Sequence, residues 1–272
     1  MSARPPIRIG LIGCGAAGAA LGRAISRGEA GRCLLAAVLV RTPSRLDPAL
    51  VSELGCQVYS DPEAFFGSGL DLVVEAAGHD ALRAYAQRAL GSGADLLVIS
   101  VGAFADADLE QRVRSAAAQS GKRVLLATGA IAGLDAIAAG AVGGLDAVTH
   151  SIRKPPRGLL APDEAAAVEA SGIPRELYKG PAREAAKRFP ENVNVAAAIS
   201  LAGLGLDRTM VRVVADPTVV RNTHEIEARG HFGELRIVLQ NIPTENPKTG
   251  RLTAMSLVKA VRNLTETWVV GA

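Results

Sequence analysis

Two hydrophobic periods divide the chain. Up to about Gly144, apolar residues come in short, nearly unbroken runs: IRIGLI from Ile7, CLLAAVLV over 33–40, LDLVVEA over 70–76, ADLLVIS over 94–100 and KRVLLAT over 122–128. Runs of this length without alternation suit strands buried on both faces, as in a parallel sheet. Between them lie stretches such as HDALRAYAQRAL and DADLEQRVRSAAAQ, which read as helices. Strands and helices in this order predict an open, doubly wound parallel sheet.

The first strand-to-helix junction carries chemistry. IGLIGCGAAGAALGRAI places Gly13, Gly15 and Gly18 in G-x-G-x-x-G spacing, with Ala16 and Ala17 opening an Ala-rich helix. In a dinucleotide-binding loop the first glycine allows the tight turn, the second lets backbone approach a pyrophosphate, and the third packs helix on strand. The helix N-terminus then offers free N–H groups to the phosphates. Ligands of such sheets sit beyond the carboxyl ends of the strands, which singles out EAAGH (75–79, with Ala77), SVGA (100–103) and TGAIAG (128–133). After the second strand, where an NAD enzyme has an acidic ribose ligand, the chain reads VRTPSR from Val40. Arg41, with Arg45 and two hydroxyls, is a candidate partner for a 2′-phosphate, so both NAD and NADP are expected cofactors.

Beyond Gly144 the period becomes two. DAVTHSIRK (146–154), TMVRVVAD (209–216), RNTHEIEAR (221–229) and GELRIVLQN (233–241) alternate in strand fashion, the last two joined as a hairpin. GPAREAAKRFP and NVNVAAAISLAG read as helices. A last helix, about Thr249 to Asn263, follows the Pro-rich NIPTENPKTG and is expected to return to the first domain. The predicted class is α/β, a doubly wound parallel Rossmann sheet with a second, smaller α+β domain carrying a mainly antiparallel sheet. The expected division is 1–133 for the dinucleotide domain, 134–245 for the substrate, catalytic and dimerisation domain, and 246–272 for the returning helix.

One residue stands out against this alternation. Arg221, Thr223, Glu225, Glu227 and Arg229 make a wet face, while His224 falls with Asn222, Ile226 and Ala228 on the other. An inward histidine, in a chain with four, is either a core residue held by a hydrogen bond or a functional group. A nucleotide domain followed by a smaller sheet domain is the build of a two-domain dehydrogenase, and His224 then stands where a general base is wanted.

Composition narrows the field. A net charge of +3 without Lys/Arg blocks or interleaved aromatics argues against nucleic acid, and no uncharged apolar run reaches about 18 residues. Cys14, Cys33 and Cys56 have neither disulfide parity nor metal-ligand spacing, so no metal and a reducing cytoplasm are expected.

Motifs in both halves, VVEAAGHDA, VISVGAFAD, TGAIAGLDA, SIRKPP, YKGPAREAAKRFPENVNVAAAISLAGLG, NTHEIEARG and NPKTGRLTAMSLVKAVRNL, resemble the L-aspartate dehydrogenase family in order and over nearly the whole chain. The resemblance implies NAD- or NADP-dependent oxidation of L-aspartate to iminoaspartate, reversible as reductive amination of oxaloacetate, able to feed NAD biosynthesis, by a homodimer. It places the catalytic histidine on His224 and cofactor contacts on Ala130 and on Asn194, or alternatively Asn192. Ser151 and Ile152 stand where threonines are expected ahead of RKPP. Arg153 and Lys154 are candidate ligands for the substrate carboxylates. Two other readings stay open: a related reductase of the homoserine dehydrogenase or dihydrodipicolinate reductase type, and a non-catalytic nucleotide sensor.

Overall fold

The computed structural model describes residues 5–189, 193–242 and 251–271. The chain forms two compact units, one running to Gly129 and resuming at Thr253, the other spanning Ala130–Leu252.

In the first unit, strands β1 (Ile7–Ile12), β2 (Cys33–Leu39), β3 (Gln57–Tyr59), β4 (Leu72–Glu75), β5 (Asp95–Val98) and β6 (Val124–Leu126) form a parallel sheet in the order β3-β2-β1-β4-β5-β6. The order reverses at β1, the crevice where such sheets bind dinucleotides. Helices α1 (Ala16–Ser26), α2 (Pro48–Leu54), α3 (Pro62–Phe66), α4 (His79–Gly91) and α5 (Ala107–Ser120) connect the strands. Asp47, Asp61 and Asp106 cap α2, α3 and α5, each accepting a hydrogen bond from first-turn N–H groups. The core joins Ile9 and Leu11 of β1, Val38 of β2, Leu72 and Val74 of β4 and Leu21 and Ile25 of α1.

The second unit holds helices α6 (Leu134–Gly143), α7 (Pro162–Ser171), α8 (Ala182–Arg188) and α9 (Val193–Ala202). Its strands are β7 (Leu145–Lys154), β8 (Arg175–Pro181), β9 (Met210–Ala215), β10 (Thr223–Gly230) and β11 (Gly233–Gln240). They form a sheet ordered β11-β10-β7-β9-β8, antiparallel except for the β7–β9 pair. One face is buried: Val148 and Ile152 of β7, Ile226 and Ala228 of β10, Val211 and Val213 of β9. Helices α8 and α9 cover part of it, since a small cavity is shared by Ile152, Val213, Ala185 and Ala196. The other face is laced with ion pairs, Arg212 to Glu176 at 2.7 Å and Arg236 to Glu225 at 2.8 Å.

The last helix, α10 (Arg251–Asn263), sends Leu257 and Val261 into the core of the first unit. Ser256 Oγ there accepts the N–H of Gly129 at 3.0 Å. The expected start of this helix at Thr249 lies outside the described residues, as does Asn192. GPAREAAKRFP is not helical from its first residue: Gly180 and Pro181 end β8, where Pro181 backs onto Met210 at the sheet edge. Thr223 is a second correction, because β10 begins there under cover and the residue is buried, not wet. Among the described residues no helix is long and apolar enough to cross a membrane.

Candidate active site

The glycine loop sits at the carboxyl edge of the parallel sheet. Ile12, the last residue of β1, lies opposite Leu39 of β2 and Glu75 of β4. Gly13 is in the left-handed region at φ +90°, and a Cβ there would fall 2.6 Å from Ala77 Cβ, so both backbone and space demand glycine. A Cβ on Gly18 would fall 2.3 Å from the Gly13 carbonyl oxygen. Gly15 differs: its backbone is extended, and a Cβ would meet nothing within 4 Å. The fold itself leaves room for a side chain there, so the glycine keeps open space in front of the helix. Gly15 precedes Ala16 and Ala17, the first residues of α1, and no side chain caps the helix. A phosphate therefore fits here, held by the N–H groups of the first turn.

A buried carboxylate shapes the neighbouring loop. Glu75 Oε1 accepts the N–H groups of Ala77 and Gly78, each at 2.8 Å, and the Ser100 hydroxyl at 3.0 Å; its Oε2 accepts the Ser100 N–H at 3.1 Å. One side chain thus ties the ends of β4 and β5 together and holds Ala77 against Gly13. Arg41 is exposed just past β2 at the same edge, ahead of a single 3-10 turn, Pro43–Arg45.

In the second unit His224 is 6% exposed and His150 is fully buried. Register explains their meeting: His224 stands opposite Ile152 on β7, with His150 two residues to one side and Lys154 two residues to the other, all on one face. His150 Nε2 lies 3.0 Å from His224 Nδ1. The ring centroids are 5.2 Å apart and the planes differ by 22°. The centroids are farther apart than the nitrogens by about two ring radii, so the rings meet edge to edge in a hydrogen bond and not face to face. Burial and then the positive charge of Lys154 push the His224 pKa down to about 4. Burial and the neighbouring His224 push His150 down as well. Both rings are therefore neutral at neutral pH, and His224 has a lone pair to offer.

The two candidate cations part company. Lys154 is buried on the His224 face. Arg153 points to the opposite face and donates from Nε to the buried Asp216 at 2.7 Å. Asp216 also accepts the N–H and hydroxyl of Thr218, at 2.8 and 2.7 Å. Burial raises its pKa, but these hydrogen bonds and Arg153 outweigh that and hold it below the ordinary range. Ala130, in the second unit, accepts Asn241 Nδ2 on its carbonyl at 2.9 Å, and Asn194 is exposed in the first turn of α9. Among the described residues no cluster of three or more His, Cys, Asp or Glu could hold a metal ion.

Comparison with known proteins bears on what this arrangement serves. A protein of Methanosarcina barkeri named L-aspartate dehydrogenase is 39% identical, with 97% of this chain and 99% of that protein aligned. The chain belongs to the L-aspartate dehydrogenase family. A second relative, L-aspartate dehydrogenase 3 of Bordetella bronchiseptica, is 39% identical over 100% of both chains. The crystal structure of aspartate dehydrogenase from Thermotoga maritima superposes with a TM-score of 0.78 at 25% identity, covering 97% of this chain and 99% of that one. The family model described as aspartate dehydrogenase, C-terminal, matches residues 135–264, and that described as homoserine dehydrogenase, NAD binding domain, matches 13–127. The first half is thus shared with other dehydrogenases, and the half bearing His224 distinguishes the aspartate dehydrogenase family.

Sequence reasoning missed His150, Glu75 and Asp216. A signal existed for His150: in DAVTHSIRK it alternates with Val148 and Ile152, so it is a second inward histidine. What the sequence lacked was the pairing of β7 with β10.

Proposed function

We propose that this protein is an NAD- or NADP-dependent L-aspartate dehydrogenase, in which His224 accepts a proton from the substrate ammonium as the Cα hydrogen leaves as hydride. The observation that carries the assignment of the base is a buried, neutral imidazole on the sheet of the half that distinguishes the family. When bound, the nicotinamide takes up the hydride. Gly13, Gly15, Ala16, Ala17, Gly18 and Ala77 would hold the cofactor's phosphates and nearby atoms, Arg41 would meet the adenosine ribose or its 2′-phosphate, and Ala130 and Asn194 would supply further cofactor contacts. The electron pair left on nitrogen by proton loss forms the C=N bond of iminoaspartate.

A ring that holds its proton this weakly is a poor base until substrate arrives. Lys154 binds one substrate carboxylate, which offsets the charge that disfavours the imidazolium and raises the proton affinity of His224 in the complex. Arg153, already paired with Asp216, serves the fold. The working form is read as a cytoplasmic homodimer.

A substrate screen following NAD(P)H absorbance with both cofactors tests the reading, and aspartate turnover is expected. Activity confined to homoserine or dihydrodipicolinate would point to the related reductases, and nucleotide binding without turnover to a sensor. His224→Ala should lower kcat roughly 10²- to 10⁴-fold. It should also cost about 1–3 kcal/mol of stability, because His150 loses its hydrogen-bond partner. Light scattering of the purified protein tests the dimer.

A further inference from the structure

We propose that His150 is a positioning residue that holds His224 in the tautomer with its proton on Nδ1, leaving Nε2 as the basic nitrogen. The inference rests on the reading of His224 as the base and adds a second residue to that machinery.

Two nitrogens 3.0 Å apart cannot both carry hydrogens toward each other, so one of the facing atoms is a donor and the other a lone pair. Burial keeps both rings neutral, which leaves two arrangements. In one, His150 donates from Nε2; His224 then carries its proton on Nε2 and has no lone pair for substrate. In the other, His224 donates from Nδ1 to His150, and its Nε2 is free to accept.

Lys154 selects the second. Along β7 it stands on the side of His224 away from His150, and its ammonium acts electrostatically on the ring. An ammonium has only hydrogens to present, so a lone pair on Nε2 is favoured there over an N–H. His150 is placed to enforce this choice. It is fully buried, it approaches in the plane of the His224 ring, and its other nitrogen, Nδ1, is a buried atom without a hydrogen-bond partner among the described residues. Nδ1 thus has no competing acceptor or donor that would rotate the ring away from His224. A histidine base oriented by a second side chain follows the logic of catalytic triads, where losing the orienter leaves the wrong tautomer.

The direct test is a long-range ¹H–¹⁵N correlation spectrum of the whole protein labelled at histidine nitrogens. The expected pattern is a protonated Nδ1 and an unprotonated Nε2 on His224; a protonated Nε2 overturns the proposal. Kinetics supply a second arm. His150→Phe keeps a ring and removes the acceptor, and should lower kcat about 10- to 1000-fold, no further than loss of the base itself, with KM for NADH unchanged. His150→Gln restores a side-chain acceptor and should recover most of kcat, a rescue that a purely structural role does not predict. A folded His150→Phe enzyme with full kcat, beside an inactive His224→Ala, overturns the positioning role alone. Full turnover by His224→Ala removes the base itself, and the inference with it. If His150→Phe does not fold, the spectrum of the unaltered protein still decides.

Discussion

Acid should destabilise the second unit through its two buried histidines, His150 and His224, and the size of the His224 share follows from its surroundings. In the unfolded chain the ring titrates near its ordinary 6.5, and in the folded protein near 4, because burial and then Lys154 oppose the charge. The unfolded chain therefore takes up the proton first as pH falls. The stability associated with the neutral ring is complete above pH 6.5 and is lost progressively toward pH 4. Between pH 7.5 and 5 the unfolded ring becomes almost fully protonated and the folded ring hardly at all, a loss of about 2 kcal/mol; below pH 4 the loss levels off at about 3 kcal/mol. Carboxylates such as Asp95, Asp207 and Asp216, whose pKa values are lowered, add their own losses at lower pH. Comparison with His224→Gln cancels those shared terms. Urea unfolding followed by circular dichroism at half-unit pH steps should show wild type falling relative to the variant by about 1.2 kcal/mol per pH unit between roughly pH 6 and 4.5. Parallel curves for the two proteins over that range would refute a neutral, buried His224.

The glycine loop separates space from fold: Gly15→Val should abolish NADH binding in calorimetry at a stability cost under about 1 kcal/mol, because its Cβ meets nothing. Gly18→Val should lower the melting temperature, at a cost of about 1–3 kcal/mol, as its Cβ collides with the Gly13 carbonyl. Arg41→Asp should lower kcat/KM for NADP more than for NAD, and equal effects would leave Arg41 as a solvated cation. Lys154→Met should raise KM for aspartate with little change for NADH. Arg153→Met should instead reduce stability by about 1–3 kcal/mol, because the buried Asp216 loses its charged partner and keeps only the hydrogen bonds from Thr218; the reverse pattern in steady-state kinetics and thermal melts would exchange the roles of the two cations.

The strands legible in the sequence are those whose surroundings are uniform. β1, β2, β4 and β5 are covered on both faces, and continuous apolar runs announce them. β3 has three residues at a sheet edge, one of them exposed Gln57, and β8 is an edge strand of RELYKGP, where charge and proline mask the period. The glycine fingerprint was readable because its spacing is local to one strand-to-helix turn, where Gly13 and Gly18 answer demands of backbone and space. The partner of His224 was not, because it depends on which strands lie side by side and in what register. The same limit applied to Arg153 and Lys154: adjacent residues of one strand face opposite ways, and only the sheet shows that Arg153 meets the buried Asp216 while Lys154 lies on the His224 face.

The helix α10 has a consequence for synthesis. Leu257 and Val261 complete a hydrophobic core whose other members lie before residue 130. During translation at about 5–20 residues per second, the first unit must wait roughly 6 to 25 seconds while the second is made. Through that interval the seat of α10 stands open to water, and the nascent nucleotide domain exposes apolar surface to whatever is nearby. Substitutions at Leu257 or Val261 should therefore register first in the yield of soluble protein at growth temperature, in cells challenged for chaperone capacity, and only afterwards in the turnover of molecules that escape.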